Sequence, residues 1–502
     1  MVAKESKMGF VVAGLLLGIL MAAMDNTIVA TAMGTIVADL GGLEQFVWVT
    51  SAYLVASMAG MPIFGKLSDM YGRKRFFLFG LIVFLIGSIL CGIAQTMTQL
   101  AIFRAIQGIG GGALMPIAFT IVFDLFPPEK RGKMTGLFGA VFGTSSIFGP
   151  LLGAWITEGI SWHWVFYVNV PIGIISLLII SIYYKESVEH SKQKIDYLGA
   201  ITLVGAVICL MFGLELGGNQ YAWNSAPILS LFTAFAVLLL AFLLIERKAE
   251  EPVINFGMFK KRLFFTSNMV GVLYGAAFIV ATIYIPIFVQ GVMGGTATNS
   301  GLILLPMTIG SVIAASAGGM ITGRMSYKNV MILSGILFVL GSYLLSTLSP
   351  DTSNLMLSLF MVITGLGVGV SFSVLPAAAV HGMDMRQRGQ ATSTNSFLRT
   401  LGMTLGISIF GIIQRNALTT KMEESLSGTG QAPGGAFPTD SRAILSPEAR
   451  EMMPPQVLEK ITEALSSSIA TTFFWTVLAA VLAFAFVLAM SNERLSELKR
   501  AQ

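Results

Sequence analysis

Long apolar runs recur from one end of the chain to the other, and no other feature narrows its fold as much. A transmembrane helix needs about 20 mostly apolar residues. Such runs stand at roughly 10–33, 46–65, 76–95, 98–123, 134–157, 164–184, 197–217, 226–245, 265–290, 301–323, 330–348, 354–379, 391–414 and 469–490. In lipid every backbone N–H and C=O must be satisfied within the segment, so runs of this length fold as helices. Fourteen spans in an all-α polytopic membrane protein are the expectation. The charge content agrees: 11% of the 502 residues are charged, against about 25% in soluble chains. That excludes a disordered chain, a coiled coil and an ordinary soluble enzyme. The first run carries Asp25 and lacks a small-residue cleavage site, so it counts as a span and not as a signal peptide.

The net charge is +5, and its distribution tells against nucleic acid. With the N-terminus in the cytoplasm, the inside segments collect Lys66, Arg73, Lys74, Arg75, Lys130, Arg131, Lys133, Lys260, Lys261, Arg262, Arg386 and Arg388 among others. The short outside loops hold Asp39, Glu44, Glu158 and Asp351 and neither Lys nor Arg. This asymmetry predicts two cytoplasmic termini. The stretch 415–468 breaks the pattern with Arg415, Lys421, Arg442, Arg450 and Lys460, and is read as a long extracellular loop, since long loops translocate largely regardless of charge. A helix is expected from Pro455, with Val457, Ile461 and Leu465 on one face; it could cap the outer mouth or merely connect. Cys91 and Cys209 sit in apolar runs, and His163, His190 and His381 form no cluster, so neither a disulfide framework nor a metal site is expected.

An internal repeat organises the spans. Gly65 to Lys74, after the second span, matches Gly319 to Lys328, after the tenth, at an offset of 254. Arg131, Gly132, Thr135 and Gly149 match Arg388, Gly389, Thr392 and Gly406 at an offset of 257. Two matches at nearly equal offset predict a duplication: an N-terminal six-helix half over 1–184, a linker with two inserted helices over 185–262, and a C-terminal six-helix half over 263–502. Repeated halves with a site at their interface are a transporter architecture. No Walker A motif is present, so ATP hydrolysis is not expected.

Four stretches carry the chemistry. Gly65-Lys-Leu-Ser-Asp69-Met-Tyr-Gly72-Arg73 connects the second and third spans. Gly65 allows close helix approach, Asp69 and Arg73 can pair at i,i+4, and Asp69 can face a helix N-terminus. Asp124, at the end of the fourth span, can join them, giving a network that holds one arrangement of two halves. The plainer reading is a basic turn that sets topology. Arg104-Ala-Ile-Gln107-Gly108-Ile-Gly110-Gly-Gly112 puts a cation inside the fourth span, where charge is costly and usually functional; a structural ion pair is the alternative. Gly139, Gly143, Gly149, Pro150 and Gly153 line the fifth span and predict tight packing against a helix of the other half. Asp25, in Met24-Asp25-Asn26-Thr27-Ile28-Val29, is the mid-span carboxylate of the two halves. Burial favours the neutral acid and a neighbouring cation the charged one, so these effects oppose each other at Asp25. Its alternative is a permanently ionised partner of Arg104.

These strings resemble the major facilitator superfamily. Gly65–Arg73 resembles its signature loop, Arg104–Gly112 the helix-4 motif of its drug–proton antiporters, and Gly149-Pro150-Leu-Leu-Gly153 its antiporter signature. Asp25-x-Thr27-Ile28-Val29 is similar to the helix-1 motif of the fourteen-helix branch. The chain departs from that branch at Ala30-Thr31 and Met33-Gly34, where Asn-Val and Leu-Pro are usual. At Trp162-His163-Trp164-Val-Phe166 a histidine replaces the branch's arginine, and His163 is expected to be structural. The resemblance implies a proton-coupled antiporter that exports lipophilic, cationic drugs by alternating access; a single mid-span acid beside two mid-span arginines suits as an alternative an exporter or flippase of a dedicated amphiphile such as a lipid or secreted metabolite. It implies Asp25 and Arg104 as the proton-coupling pair and Gly65, Asp69, Gly72, Arg73 and Asp124 as the gate. Asp25, Tyr53, Gln107, Asn395 and Arg399 are candidate substrate contacts. Arg399 either lines the cavity or is neutralised across helices, and Glu215 is expected at the interface. No cofactor is expected beyond the proton gradient. Expected partners are small amphiphilic substrates, protons and the lipid bilayer, with no nucleic acid, and the chain is expected to act as a monomer in a cell membrane.

Overall fold

The computed structural model describes residues 7–41, 46–186, 196–218, 220–295, 299, 302–426 and 455–494. Its helices run α1 (Met8–Leu40), α2 (Phe46–Tyr71), α3 (Arg73–Gly92), α4 (Met97–Leu125), α5 (Pro128–Gly159), α6 (Asn169–Tyr183, entered through the single helical turn Trp164–Tyr167), α7 (Tyr197–Leu216), α8 (Ala226–Glu246), α9 (Arg262–Gly291), α10 (Leu305–Ile321), α11 (Tyr327–Leu345), α12 (Asn354–Ala379), α13 (Arg388–Leu426) and α14 (Pro455–Leu488). Their boundaries follow local chemistry. Thr96, Ser326 and Ser353 cap α4, α11 and α12 through their hydroxyls, and Asp196 caps α7. Gly72 joins α2 to α3 at φ +112°, a conformation that a side chain disfavours strongly.

Among the described residues, twelve helices are long and apolar enough to cross a membrane. The expected spans 134–157 and 301–323 fall short by that measure. Their helices are α5 (Pro128–Gly159) and the 17-residue α10. These two pack against each other, with Gly136 against Ser316 and Gly139 against Ala315. Both faces of this contact carry small residues, which let the two helices approach closely.

The packing repeats along the chain. α1 lies against α5 and α6, while α2 and α3 lie against α4; α9 lies against α13 and α14, while α10 and α11 lie against α12. The same close approaches recur inside each half. A Cβ at Gly108 or Gly112 of α4 would strike the backbone carbonyl of Tyr53 or Ser57 on α2, and one at Gly365 or Gly369 of α12 would strike that of Met307 or Ser311 on α10. These glycine pairs stand at an offset of 257, a third match in the duplication. The halves meet mainly along α5 with α10 and α2 with α13. A buried apolar cluster including Phe77, Phe84 and Phe123 continues through Phe264, Ala379, Val380, Met383 and Ala391 of the other half. α7 and α8 pair with each other, and α7 leans on α2.

Two expectations change. Gly149 and Gly153 pack on Thr27 and Thr31 of α1, inside their own half, and of the α5 glycines whose surroundings are described Gly136 and Gly139 face across to α10. Gly143 lies in α5, but its surroundings fall outside the described residues. α13 runs on to Leu426 and α14 begins at Pro455, so much of 415–468 is helical. Ile461 and Leu465 are buried in the C-terminal half, as continuations of a long helix and not as a separate cap. Residues 427–454 of that stretch lie outside the described residues.

Candidate functional site

Asp25 of α1 has no exposed surface. Gln107 of α4 and Asn169 of α6 each donate a side-chain N–H to its Oδ1 at 2.8 Å. Arg104 of α4 pairs with its Oδ2 through Nη1. The same Nη1 donates to Gln107 Oε1 at 2.6 Å, and Nε donates to the Val49 carbonyl at 3.3 Å. The guanidinium lies 4.3 Å over the Tyr53 ring of α2, a cation–π contact that strengthens when desolvated. Ser88 of α3 accepts from Asn169 and Gln107 at 3.0 and 3.3 Å and donates to the Phe166 carbonyl at 2.8 Å. The network therefore ties five helices of one half around a single carboxylate. Ser88, Arg104, Gln107 and Asn169 are all buried. Sequence reasoning gave no role to Ser88 or Asn169; the signal available was a polar side chain inside an apolar run.

The residues of the motif divide their faces. Asp25 turns to α4 and Thr27 to α5, where its hydroxyl lies 3.2 Å from the Ser145 carbonyl. Asn26 Oδ1 lies 3.5 Å from Arg104 Nη2. Pro150 continues α5 beside Gly149. His163 stacks on Trp162 at 3.8 Å, and Trp162 Nε1 donates to Asp39 at 2.7 Å, a structural arrangement at that end of the bundle.

A second network closes the end where the Lys- and Arg-rich loops gather. Asp69, at the foot of α2, accepts from the backbone N–H of Gly389 at 2.9 Å and of Gln390 at 2.7 Å. These are the first amides of α13, so the carboxylate sits on a positive helix end. Asp69 also pairs with Arg73. Arg73 reaches Asp124 at 3.0 Å and donates to the Met385 carbonyl at 2.8 Å. Asp124 in turn meets Arg388 at 3.0 Å. Gly65 lies against Ser393 and the Gly389 carbonyl, with no room for a Cβ. Thr120 and Thr392 share a hydrogen bond at 2.6 Å. Every one of these contacts except those of Arg73 with Asp69 and Asp124 joins one half to the other. Glu186, which sequence reasoning missed, accepts from the first amides of α3 at 2.5 and 3.3 Å. Burial, then the charge of Glu186, pushes the Tyr184 phenol up, so it stays neutral beside Arg73.

The inserted helices are tied to the same place. Gln390 Nε2 donates to the carbonyls of Pro252 and Val253, each at 2.7 Å. Glu246, at the end of α8, accepts from the Val253 N–H at 3.1 Å, and Lys66 pairs with Glu251 at 2.5 Å.

The candidate substrate residues separate by exposure. Asp25, Tyr53, Gln107 and Asn395 are buried, Asn395 donating to Asn268 at 3.1 Å. Arg399, one helical turn beyond Asn395 on α13, is half-buried, with its guanidinium 3.7 Å over the Phe372 ring of α12. It makes no ion pair among the described residues. Glu215 is half-buried on the last turn of α7.

Two pseudo-equivalent six-helix halves, a closed charge network at one end and a buried acid–base pair within one half define a membrane transporter and not an enzyme. The chain belongs to the Major Facilitator Superfamily, whose family model matches residues 15–407. It is 60% identical over 495 residues to "Multidrug resistance protein 3" of Bacillus subtilis (strain 168), covering 98% of this chain and 97% of that protein. It is 37% identical over 475 residues to "Multidrug transporter protein MdtP" of the same organism, covering 93% and 87%. Among solved structures, the proton:xylose symporter XylE superposes with a TM-score of 0.61 at 15% identity, over 98% of each chain, a likeness of fold.

Proposed function

We propose that this protein exports lipophilic, cationic drugs from the cell in exchange for protons, by alternating access of its two halves. Export of drugs is supported by the multidrug relatives. The observation that carries proton coupling is the sealed carboxylate of Asp25, held by Arg104, Gln107 and Asn169. A proton arriving at Asp25 cancels the charge that Arg104 balances and weakens the charge-assisted bonds around it. The guanidinium is then a buried charge without its counter-ion, a costly state that a shift of the helices of the half relieves. Drug and proton therefore compete through the arrangement of the halves, not by contact at one carboxylate. The chain lies in a cell membrane with both termini in the cytoplasm, so the Asp69, Arg73, Asp124 and Arg388 network closes the cytoplasmic mouth here and must open to admit drug. It works as a monomer without a cofactor. A second reading, export of a dedicated amphiphile with an anionic group, is favoured by Arg399, which makes no ion pair among the described residues.

The test is proton flux and drug uptake in liposomes holding the purified protein, wild type against Asp25→Asn. The expected result is pH-gradient-driven uptake of a lipophilic cation by the wild type and its loss in the variant, with the variant still folded. Coupled uptake that survives Asp25→Asn would place the coupling site elsewhere.

A further inference from the structure

Arg399 is a guanidinium inside a membrane-spanning helix, and no carboxylate among the described residues pairs with it. It stands eleven residues along α13 from Arg388, roughly 17 Å from the basic end at 1.5 Å per residue, about halfway through the hydrocarbon layer. Its neighbours are accounted for helix by helix. α9 and α12, which flank it, contain no Asp or Glu, and neither do α10 and α11. The acids of α13 itself, Glu423 and Glu424, lie about 36 Å further along the helix. Those of α14, Glu459 and Glu463, lie in its first turns, at the end away from the basic loops. On α2 and α4, Asp69 and Asp124 are consumed at the basic end. Asp25 is sealed in the other half with Arg104, and Glu215 at the far end of α7 has a partner of its own. Arginine cannot shed its proton at any pH the protein meets. The offset of 257 places Phe142 at the corresponding position of α5, so this charge is not part of the duplicated scaffold.

One face of the guanidinium is covered by Phe372, which meets Phe278 of α9 edge-on at 5.9 Å. Stacking leaves the N–H fork at the edge of the plane free to receive two oxygens at once. An apolar wall of two rings beside an open, unbalanced fork is complementary to an aromatic molecule with a carboxylate.

We infer that Arg399 is a substrate-binding residue that docks an anionic group, so that the preferred substrates are zwitterionic aromatic amphiphiles bearing a carboxylate, their ring stacked against Phe372 and Phe278. This rests on the export function proposed above and narrows its substrate class: a lipophilic cation that also carries an acid should be held better than the same cation without one.

Tetramethylrhodamine and its methyl ester make the comparison directly, because both keep the cationic ring system and the free carboxylate alone distinguishes them. Fluorescence polarisation with the purified full-length protein should show the acid bound more tightly than the ester. Arg399→Gln should weaken the acid roughly 10- to 100-fold, the range of a charge-assisted contact, and leave the ester unchanged; Arg399→Lys should recover part of the loss. Equal affinity of wild type for the two dyes overturns the inference, and that measurement needs no variant to fold. So does an equal loss of both dyes in Arg399→Gln, which would mark a structural role. Coupling is read separately, as pH-gradient-driven uptake of either dye into liposomes. If neither is driven while the acid still binds better, the export reading fails and the Arg399 site stands.

Discussion

In the N-terminal half a buried arginine meets its carboxylate; in the C-terminal half a half-buried arginine lies over an aromatic ring, with no ion pair among the described residues. Around both, the helices approach one another in the same way, through glycines repeated at a fixed offset: Gly108 and Gly112 against α2, Gly365 and Gly369 against α10. Applying that offset to the polar residues gives a different result. Arg104 maps to Met361 and Gln107 to Thr364. Met361 is fully buried, and the Thr364 hydroxyl turns back to its own helix at the Phe360 carbonyl. Backbone approach tolerates no side chain at those glycines, so it is preserved between the halves. Charge is not needed for the approach, and it differs. The glycine contacts are thus common to both halves, whereas the Arg104 and Gln107 positions of the Asp25 network have apolar or self-bonded counterparts in the other.

The sharpest way to break this comparison is to give α4 the residue its counterpart has. Arg104→Met strands Asp25 without its cation, and removing one member of a buried pair costs about 3–5 kcal/mol. Thermal unfolding in detergent should drop accordingly. The double variant Asp25→Leu, Arg104→Met should recover most of that stability while transport stays uncoupled; a double variant as unstable as the single one would show that the ions are part of the scaffold after all.

At the gate the expected effects are smaller. Asp69→Asn replaces charge-assisted bonds to the first amides of α13 with neutral ones, a loss of about 1.5–3 kcal/mol. It should slow turnover while equilibrium drug binding persists; loss of binding in a folded variant would place Asp69 in the substrate site. Gly65→Ala forces a methyl toward Ser393 and the Gly389 carbonyl, at about 1–3 kcal/mol of overpacking. With Cys91 and Cys209 replaced, cysteines at Thr120 and Thr392 should cross-link more slowly in that background. Gln390→Ala removes two bonds to the 252–253 carbonyls, about 1 kcal/mol each, and should make the segment between α8 and α9 more open to protease without altering dye binding.

Much of this was legible in sequence because it depends on span and spacing. Run lengths, the two offsets, and the i,i+4 pair at Asp69 and Arg73 are properties of a chain read in order. So was the prospect that a mid-span acid and a mid-span arginine would find each other, since each is costly alone. What stayed hidden depends on how each helix is rotated about its axis. Nothing in the order of residues marks Ser88 and Asn169 as partners of one carboxylate; that depends on how α3 and α6 turn them toward Asp25. Gly149 and Gly153 read as an interface between halves, yet their face meets α1. The contact of Gln390 with the 252–253 carbonyls joins residues far apart in sequence through groups that every residue has, and no side-chain pattern marks it.

That last contact ties the transporter to its solvent. α7 and α8 present Leu198, Ile201, Leu229, Val237 and Leu240 outward, a surface suited to acyl chains. The segment that follows α8 is fastened to Gln390 by two hydrogen bonds, and Gln390 is fastened to Asp69. A bilayer whose thickness mismatches this helix pair tilts it, at a cost of fractions of a kcal/mol per Å. The tilt then pulls on the bonds that keep the two halves closed. The inserted hairpin is thus joined, through Gln390 and Asp69, to the contacts between the halves, and strain on it in the membrane plane is passed to them.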